Sequence, residues 1–314
     1  MKIAVLDDWT QDAASSADWS RLTPDHQVEI FTDHLVGEAL IERLKPYDII
    51  GIMRERSRLS EAVITQLPNL KAIFTPGMQN AAIDLEACRK YGILVSGSPT
   101  PAHATAELAM TLIGVLARNI VPNALSMQQG GWQIQAGRDL RGATLGVLGL
   151  GRLGSVVAKI GLAYGMDVVA WSQNLTPERA AEEGVRYLEK EQFFAQSDFI
   201  SIHLKLSDRV RGLVGAAELA VMKKDACLVN TSRAPIIDGA ALISALKKGE
   251  IGGAALDVYE TEPLPADHPW RDVPNLVLTP HIGYVTRQTM NVFYGDMLNN
   301  IEAYLAGTPK GVLT

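Results

Sequence analysis

The segment that most restricts what this chain can fold into is TLGVLGLGRLG, residues 144–154. It is an apolar run closing on glycines at positions 149, 151 and 154, and it leads straight into RLGSVVAKIGLAYG. An apolar strand, a glycine-rich turn and a helix in direct succession open a βαβ unit on a parallel sheet. Each glycine has its own duty there. Gly149 permits the tight turn, Gly151 lets backbone N–H groups approach a pyrophosphate, and Gly154 lets helix and strand pack closely. The helix start at Arg152 and Leu153 adds partial positive charge. A dinucleotide is the ligand this context favours; the plain alternative is a glycine-rich helix start that binds nothing.

The strand that follows such a turn ordinarily ends in Asp or Glu, which holds the adenosine ribose about 20 residues beyond the loop. Here it reads DVVAWSQN and ends without a carboxylate. Ser172, 23 positions after Gly149 (172 − 149), takes the carboxylate's place, with Gln173 beside it. A carboxylate binds two ribose hydroxyls and repels a 2′-phosphate; serine does neither strongly. The feature that selects against NADP(H) is therefore missing. A positive selector is weak, since Arg152 and Arg179 are the nearest cations in sequence and neither directly follows the strand. The expectation is NAD(H) or NADP(H), with dual use or a lean to NADP(H).

Short β-rich apolar runs alternate with helical patterns along nearly all 314 residues, which implies α/β architecture with parallel sheets in about two domains. In the first third, strands are expected at 3–6, 49–53, 72–74 and 94–96. A second series is expected at 145–148, 168–171, 199–202, 227–230, 254–257 and 277–278. A mostly apolar helix over 102–120 should pack against a large surface, either a domain junction or a second subunit. RQTMNVFYGDMLNNIEAYLAG reads as a helix returning to the first domain.

The net charge of −6 gives no reason to expect nucleic acid or a membrane surface as partner, and no stretch approaches the roughly 18 apolar residues of a membrane span. Cys88 and Cys227 offer neither a disulfide framework nor a metal site, and MKIAVLDDW is unlike a signal peptide. A reduced, cytoplasmic setting is expected, with no metal.

Three segments sit where chemistry belongs on such a sheet, just past strand ends: LVNTSRAPIID, ALDVYETEP and LVLTPHIGY. They offer Arg233, Glu262 and His281. Hydride transfer to a 2-oxo acid needs a guanidinium to hold the carboxylate and polarise the carbonyl. It needs an imidazolium to protonate the developing alkoxide, and a carboxylate on the other ring nitrogen to fix the tautomer. Position alone leaves alternatives open. His203, at the end of DFISIHL, also sits at a strand terminus. Arg233 could be a surface arginine, and Glu262 a turn residue before Pro263. His26 and His34 read as solvated loop residues, His268 as a loop residue and His103 as a helix start.

In TLGVLGLGRLG, SIHLKLSDRVRGLVG, CLVNTSRAPIID, GAALDVYETEP and LTPHIG, taken in this order, the chain resembles the D-isomer-specific 2-hydroxyacid dehydrogenases. That family includes D-3-phosphoglycerate, glyoxylate/hydroxypyruvate and formate dehydrogenases. The resemblance implies two Rossmann-like, doubly wound parallel-sheet domains. A flavodoxin-like substrate domain would comprise 1–98 and 286–314, and an NAD(P)-binding domain 99–285, with the active site in the cleft. It makes Arg233 the substrate-binding arginine, Glu262 the partner of the histidine and His281 the acid/base. Asp257 would lie near the nicotinamide carboxamide and Thr231 would offer a backbone contact near the ring. His203 would lie beside the cofactor, outside the acid/base role. The helix over 102–120 and Trp132 resemble the region through which members form homodimers. Transcriptional corepressors of the same family keep the Arg-Glu-His set but sense the dinucleotide. They carry long flexible tails that this chain lacks, which makes them the alternative class. No Gly-x-Ser-x-Gly elbow or phosphate-binding Gly-x-x-x-x-Gly-Lys-Ser/Thr loop supports a hydrolase.

The sequence also departs from the family. Its substrate-side loop, Gly-x-Gly-Tyr-Asp-Asn-Ile-Asp in many members, is GMQNAAID here. Backbone N–H groups at Met78 and Gln79 could still hold a small anionic 2-oxo or 2-hydroxy acid, and the side chains of Gln79 and Asn80 would make the pocket more polar and narrower. Arg54 and Arg56, on a nearby strand-end loop by resemblance, could bind a second anionic group; the bland reading is a solvated loop with an Arg54–Glu55 pair. Ala234 replaces the family glycine after the arginine, and the missing regulatory extension favours an unregulated reductase over feedback-controlled serine synthesis.

Overall fold

The computed structural model describes residues 1–314, which divide into two compact units, Met1–Pro101 with Val285–Thr314, and Ala102–Tyr284. The first unit contains strands β1 (Lys2–Val5), β2 (Gln27–Ile30), β3 (Ile49–Gly51), β4 (Ala72–Pro76) and β5 (Leu94–Ser98). All pairings are parallel, in the order β2-β1-β3-β4-β5, the flavodoxin-like arrangement. The central strands are buried throughout, as strands covered on both faces must be. β2, QVEI, is an edge strand that alternates exposed and half-buried positions. That polarity hides it from a search for apolar runs, and it was not among the expected strands.

The helix Arg287–Leu305 belongs to this first unit and packs on β4, β5 and the short helix Ala13–Ser16. Thr286 caps it, its hydroxyl accepting the Thr289 N–H at 3.2 Å. Buried Tyr294 donates its hydroxyl to Asp8 at 3.0 Å. The carboxylate of Asp8 also accepts the N–H groups of Asp12 and Ala13, so one buried charge ties the β1 exit to both helices. Next to it, Asp7 takes bonds from Ser57 Oγ (2.7 Å) and His34 Nδ1 (2.7 Å). His34 is thus a partnered, largely buried residue and not the solvated one expected.

The second unit contains β6 (Thr144–Leu148), β7 (Asp167–Trp171), β8 (Arg186–Tyr187), β9 (Phe199–Ile202), β10 (Cys227–Asn230), β11 (Gly253–Leu256) and β12 (Leu276–Leu278). The order β12-β11-β10-β9-β6-β7-β8 is parallel throughout. Counted from β6 it is the doubly wound nucleotide-binding order with one strand added at the β12 edge. Six of the seven strands were expected; β8 is two residues long and lies at an edge. Side chains alternate across the sheet. Leu145, Val147, Val168 and Ala170 face the helices His103–Ala117 and Arg152–Ala163, while Val169, Ile200 and Leu228 lie on the opposite face, covered by the helices Lys190–Gln196 and Gly239–Lys248.

The helix expected over 102–120 is His103–Ala117, and a second helix that was not expected, Ile120–Gln128, follows it at a bend of 65°. Asn119 makes the corner in the left-handed region (φ 49°), which Asn tolerates better than most residues. The first helix buries seven of its 15 residues, whereas the second buries none. No single helix is long and apolar enough to cross a membrane.

Candidate active site

The reversal in strand order lies between β6 and β9, and the glycine turn emerges there from the carboxyl end of β6. Gly149 has φ 101°, and a β-carbon on it would stand 3.0 Å from the His203 backbone. A β-carbon on Gly154 would fall 2.0 Å from the Gly149 carbonyl oxygen, so the helix Arg152–Ala163 starts in backbone contact with the turn. Gly151 is different: nothing lies within 4 Å of the β-carbon it lacks. Two glycines are required by packing and the third faces open space at a helix N-terminus, which is the cradle a pyrophosphate fits. Thr231 adds to the fit. It directly follows β10, is 7% exposed, and its hydroxyl is a buried side-chain polar atom with no hydrogen-bond partner. Buried polar groups normally have one.

Just past β7, Leu175 N–H bonds the Ser172 carbonyl and closes a turn over Ser172-Gln173-Asn174. Arg179 is committed elsewhere, bonded to Glu182 and Glu183 at 2.8 Å each. The side chain of Arg209, from the loop after β9, reaches Asn174 Oδ1 at 3.4 Å, and its carbonyl accepts Gln173 Nε2 at 2.8 Å. This cation lies 35 residues from Asn174, beyond any local motif; only the pairing of β6 with both β7 and β9 brings the two loops together.

At the other end, β10, β11 and β12 deliver the chemistry-bearing side chains. Asn230 shapes the Arg233 loop: its Nδ2 donates to the Arg233 carbonyl (3.0 Å) and its Oδ1 accepts Ser232 N–H (2.9 Å). Arg233 is extended (φ −144°), with Nη1 donating to the Ser232 carbonyl at 2.7 Å. His281 Nδ1 lies 2.6 Å from Glu262 Oε2, and Glu262 Oε1 accepts Tyr259 N–H at 2.8 Å. Burial raises the Glu262 carboxyl. The bond and charge of His281, the Tyr259 N–H and the Arg233 charge outweigh it and hold the group below the usual carboxylate range. With Nδ1–H given to the carboxylate, Nε2 is the nitrogen left for a reacting group.

Asp257 is the anchor of this turn. It is fully buried, and its carboxylate accepts Thr279 Oγ1 (2.6 Å), Ile282 N–H (2.8 Å) and Gly283 N–H (2.8 Å). The three donors flank His281 and hold it in the left-handed region, φ 53°. The expected cofactor contact said nothing of this anchoring. His203 is in a different state. Burial pushes its imidazole down to about 4, and Nε2 is bonded to Ser201 Oγ at 2.8 Å, so the ring is neutral at neutral pH.

The residues expected on the substrate side belong to the first unit. Met78 and Gln79 are exposed on the loop after β4, but Asn80 is not a pocket residue. Its amide donates to the Arg54 carbonyl (2.7 Å) and Thr75 Oγ1 (2.9 Å) and accepts Ala82 N–H, so it holds the loop together. Arg54 donates to the Pro76 carbonyl at 3.0 Å and lies 3.7 Å from Glu55. Arg56 stacks its guanidinium 4.3 Å over the Trp9 ring and donates to the Asp7 carbonyl at 2.6 Å.

A sheet of this order with a glycine turn at its reversal defines a dinucleotide-binding protein, and comparison with known proteins narrows the class. The model of the D-isomer specific 2-hydroxyacid dehydrogenase NAD binding domain matches residues 110–283. A glyoxylate reductase of Aeropyrum pernix is 38% identical over 86% of this chain and 83% of its own length. A D-3-phosphoglycerate dehydrogenase of Methanocaldococcus jannaschii is 35% identical over 90% of this chain but 54% of its own. The crystal structure of a putative D-3-phosphoglycerate dehydrogenase from Ralstonia solanacearum superposes with a TM-score of 0.93 at 36% identity, covering 99% of this chain and 96% of that one. The chain belongs to the D-isomer-specific 2-hydroxyacid dehydrogenase family, NAD-dependent oxidoreductases of 2-hydroxy acids.

Proposed function

We propose that this protein interconverts a small D-2-hydroxy acid and its 2-oxo acid, working as a reductase, with Arg233, Glu262 and His281 as its catalytic set. The observation that carries the reading is the 2.6 Å His281–Glu262 bond, with the Arg233 charge acting on the same carboxylate. When bound, the nicotinamide dinucleotide supplies the hydride. Arg233 holds the substrate carboxylate and polarises the neighbouring carbonyl. His281 gives the Nε2 proton to the carbonyl oxygen as it becomes a hydroxyl, and Glu262 keeps the ring oriented while it cycles between charged and neutral forms. The residues proposed to hold the dinucleotide are Gly149, Gly151, Arg152, Leu153 and Gly154 at the pyrophosphate, Ser172 and Gln173 at the ribose, and His203, Thr231 and Asp257 nearer the ring. With no carboxylate after β7, the cofactor reading is NADP(H) or both forms.

On the substrate side, Met78 and Gln79 are proposed to hold the acid by their backbone N–H groups, and Arg56 a second anionic group such as a phosphate, sulfonate or carboxylate. A spectrophotometric screen tests the activity. Oxidation of NADH and NADPH is followed with glyoxylate, hydroxypyruvate, phosphohydroxypyruvate, sulfopyruvate, phenylpyruvate and oxaloacetate. No turnover with any of them in either coenzyme would count against the reading. In the same screen, Arg56→Ala should raise KM about tenfold for the dianionic acids and leave glyoxylate nearly unchanged, the cost of one charge-assisted contact. An unchanged KM for every acid would remove Arg56 from recognition.

The apolar residues left in water by the Ile120–Gln128 helix and the segment after it support a homodimer. Ile120, Leu125, Met127 and Ile134 are exposed there, and Trp132 is 69% exposed. Large contiguous apolar exposure marks an interaction surface. Sedimentation equilibrium should return twice the chain mass of 34.0 kDa, and Trp132→Glu should shift it towards one chain. A wild-type protein that sediments as a single chain at micromolar concentration would end the dimer reading.

A further inference from the structure

We propose that Arg209 is the residue that reads the coenzyme's 2′-phosphate, so the selector missing after β7 is supplied from the loop after β9. The inference rests on the NADP(H) reading above and names the group that would carry it. Three observations place Arg209 there. The turn Ser172-Gln173-Asn174 stands where a ribose-binding carboxylate ordinarily ends the second strand, and it bears only neutral polar groups. Two hydrogen bonds fasten Arg209 to that turn, one through its carbonyl from Gln173 and one from its guanidinium to Asn174. Arg209 is exposed, and the single bond of its guanidinium is the long one to Asn174, 3.4 Å.

The contrast with the other cations of this region decides the assignment. Arg179 is spent on Glu182 and Glu183. Lys190, 6.0 Å over the Trp171 ring, is bonded to Glu218. Arg209 has no carboxylate partner; Asp208 adjoins it in sequence but does not pair with it. An arginine held at a neutral turn by its backbone, with most of its fork free, is preorganised for a phosphate, which it can bind through two parallel N–H···O bonds. The 2.8 Å bond from Gln173 to the Arg209 carbonyl fixes the position of the loop without using the charge. Ser172 and Asn174 add short neutral groups that neither repel a dianion nor fill its space.

Isothermal titration calorimetry of the purified protein with 2′,5′-ADP and with AMP isolates the 2′-phosphate from the rest of the coenzyme. Wild type should bind 2′,5′-ADP at least about tenfold more tightly than AMP, the worth of a charged hydrogen-bonded contact. Arg209→Ala should erase most of that ratio while AMP affinity stays within about twofold, and Arg209→Lys should keep part of it. The same ordering is expected in kcat/KM for NADPH against NADH. If wild type binds the two nucleotides equally, the NADP(H) reading itself fails. If wild type discriminates and Arg209→Ala discriminates just as well, that reading stands and Arg209 is wrong. Equal weakening of both nucleotides in Arg209→Ala would make the residue a loop support and would also overturn the proposal.

Discussion

Replacing His281 by Asn is expected to lower kcat by a factor of about a thousand, within the range that a positioned general acid contributes, while leaving dinucleotide affinity near its wild-type value. Asn is the substitution of choice because of the backbone. His281 sits at φ 53°, held there by the bonds from Thr279, Ile282 and Gly283 to Asp257, and Asn is among the few residues that tolerate that region. The turn should therefore persist, and a lost rate would report the lost proton donor and not a collapsed loop. Single-turnover kinetics and a fluorescence titration with the coenzyme separate the two quantities. A variant retaining more than about a tenth of wild-type kcat would remove His281 from proton transfer. A dinucleotide-sensing protein would have little turnover to lose.

The neighbouring carboxylate adds a pH signature. Despite the upward push of burial, Glu262 is held below the usual carboxylate range by His281, Tyr259 N–H and Arg233. Its folded value is lower than its unfolded one of about 4.3. Its contribution to stability is therefore complete above the unfolded value and is lost as pH falls through the folded value. Glu262→Gln lacks that term, so acid unfolding of the variant should depend less steeply on pH across this window, alongside a reduced kcat. Identical acid-unfolding profiles for variant and wild type would mean the bond does not act on Glu262 as described.

What could be read from the sequence was what chemistry writes locally. The turn at Gly149, Gly151 and Gly154 depends on residues within one strand–helix junction, and the strands around it are continuous apolar runs because both faces of the sheet are covered. β2 and β8 escaped for the converse reason. Both are edge strands, short and only partly buried, and QVEI or RY carries no hydrophobic run to detect. The helix after β5 was expected close to its observed bounds, whereas the corner that starts the next one rests on Asn119, a residue compatible with a helix or a turn. Residues defined by contacts distant in sequence were out of reach. His34 finds Asp7 across 27 positions and Arg209 finds Asn174 across 35. Asn80 read as a pocket side chain because a loop's interior bonds, here to Arg54 and Thr75, leave no pattern along the chain.

The second large effect is expected at Arg233. Arg233→Ala should lower kcat/KM for a 2-oxo acid by about a thousandfold, since it removes both the grip on the carboxylate and a preorganised charge at the developing alkoxide. Arg233→Lys should recover little of this, because an ammonium is a point charge and cannot present two parallel N–H donors to a carboxylate. The loop itself should survive either change. Its shape is set by Asn230, which bonds the Arg233 carbonyl and the Ser232 N–H, and these are backbone groups that replacing the Arg233 side chain leaves in place. Near-equal thermal midpoints for wild type and both variants would establish that the comparison is one of chemistry. The division of the loss is itself informative. A fall confined to KM would mean that Arg233 binds the ground state and transition state alike, whereas a fall shared with kcat means it acts most strongly on the charge that develops during transfer. If kcat/KM stays within about tenfold of wild type, the carboxylate is held elsewhere, and the Met78–Gln79 loop becomes the group to test.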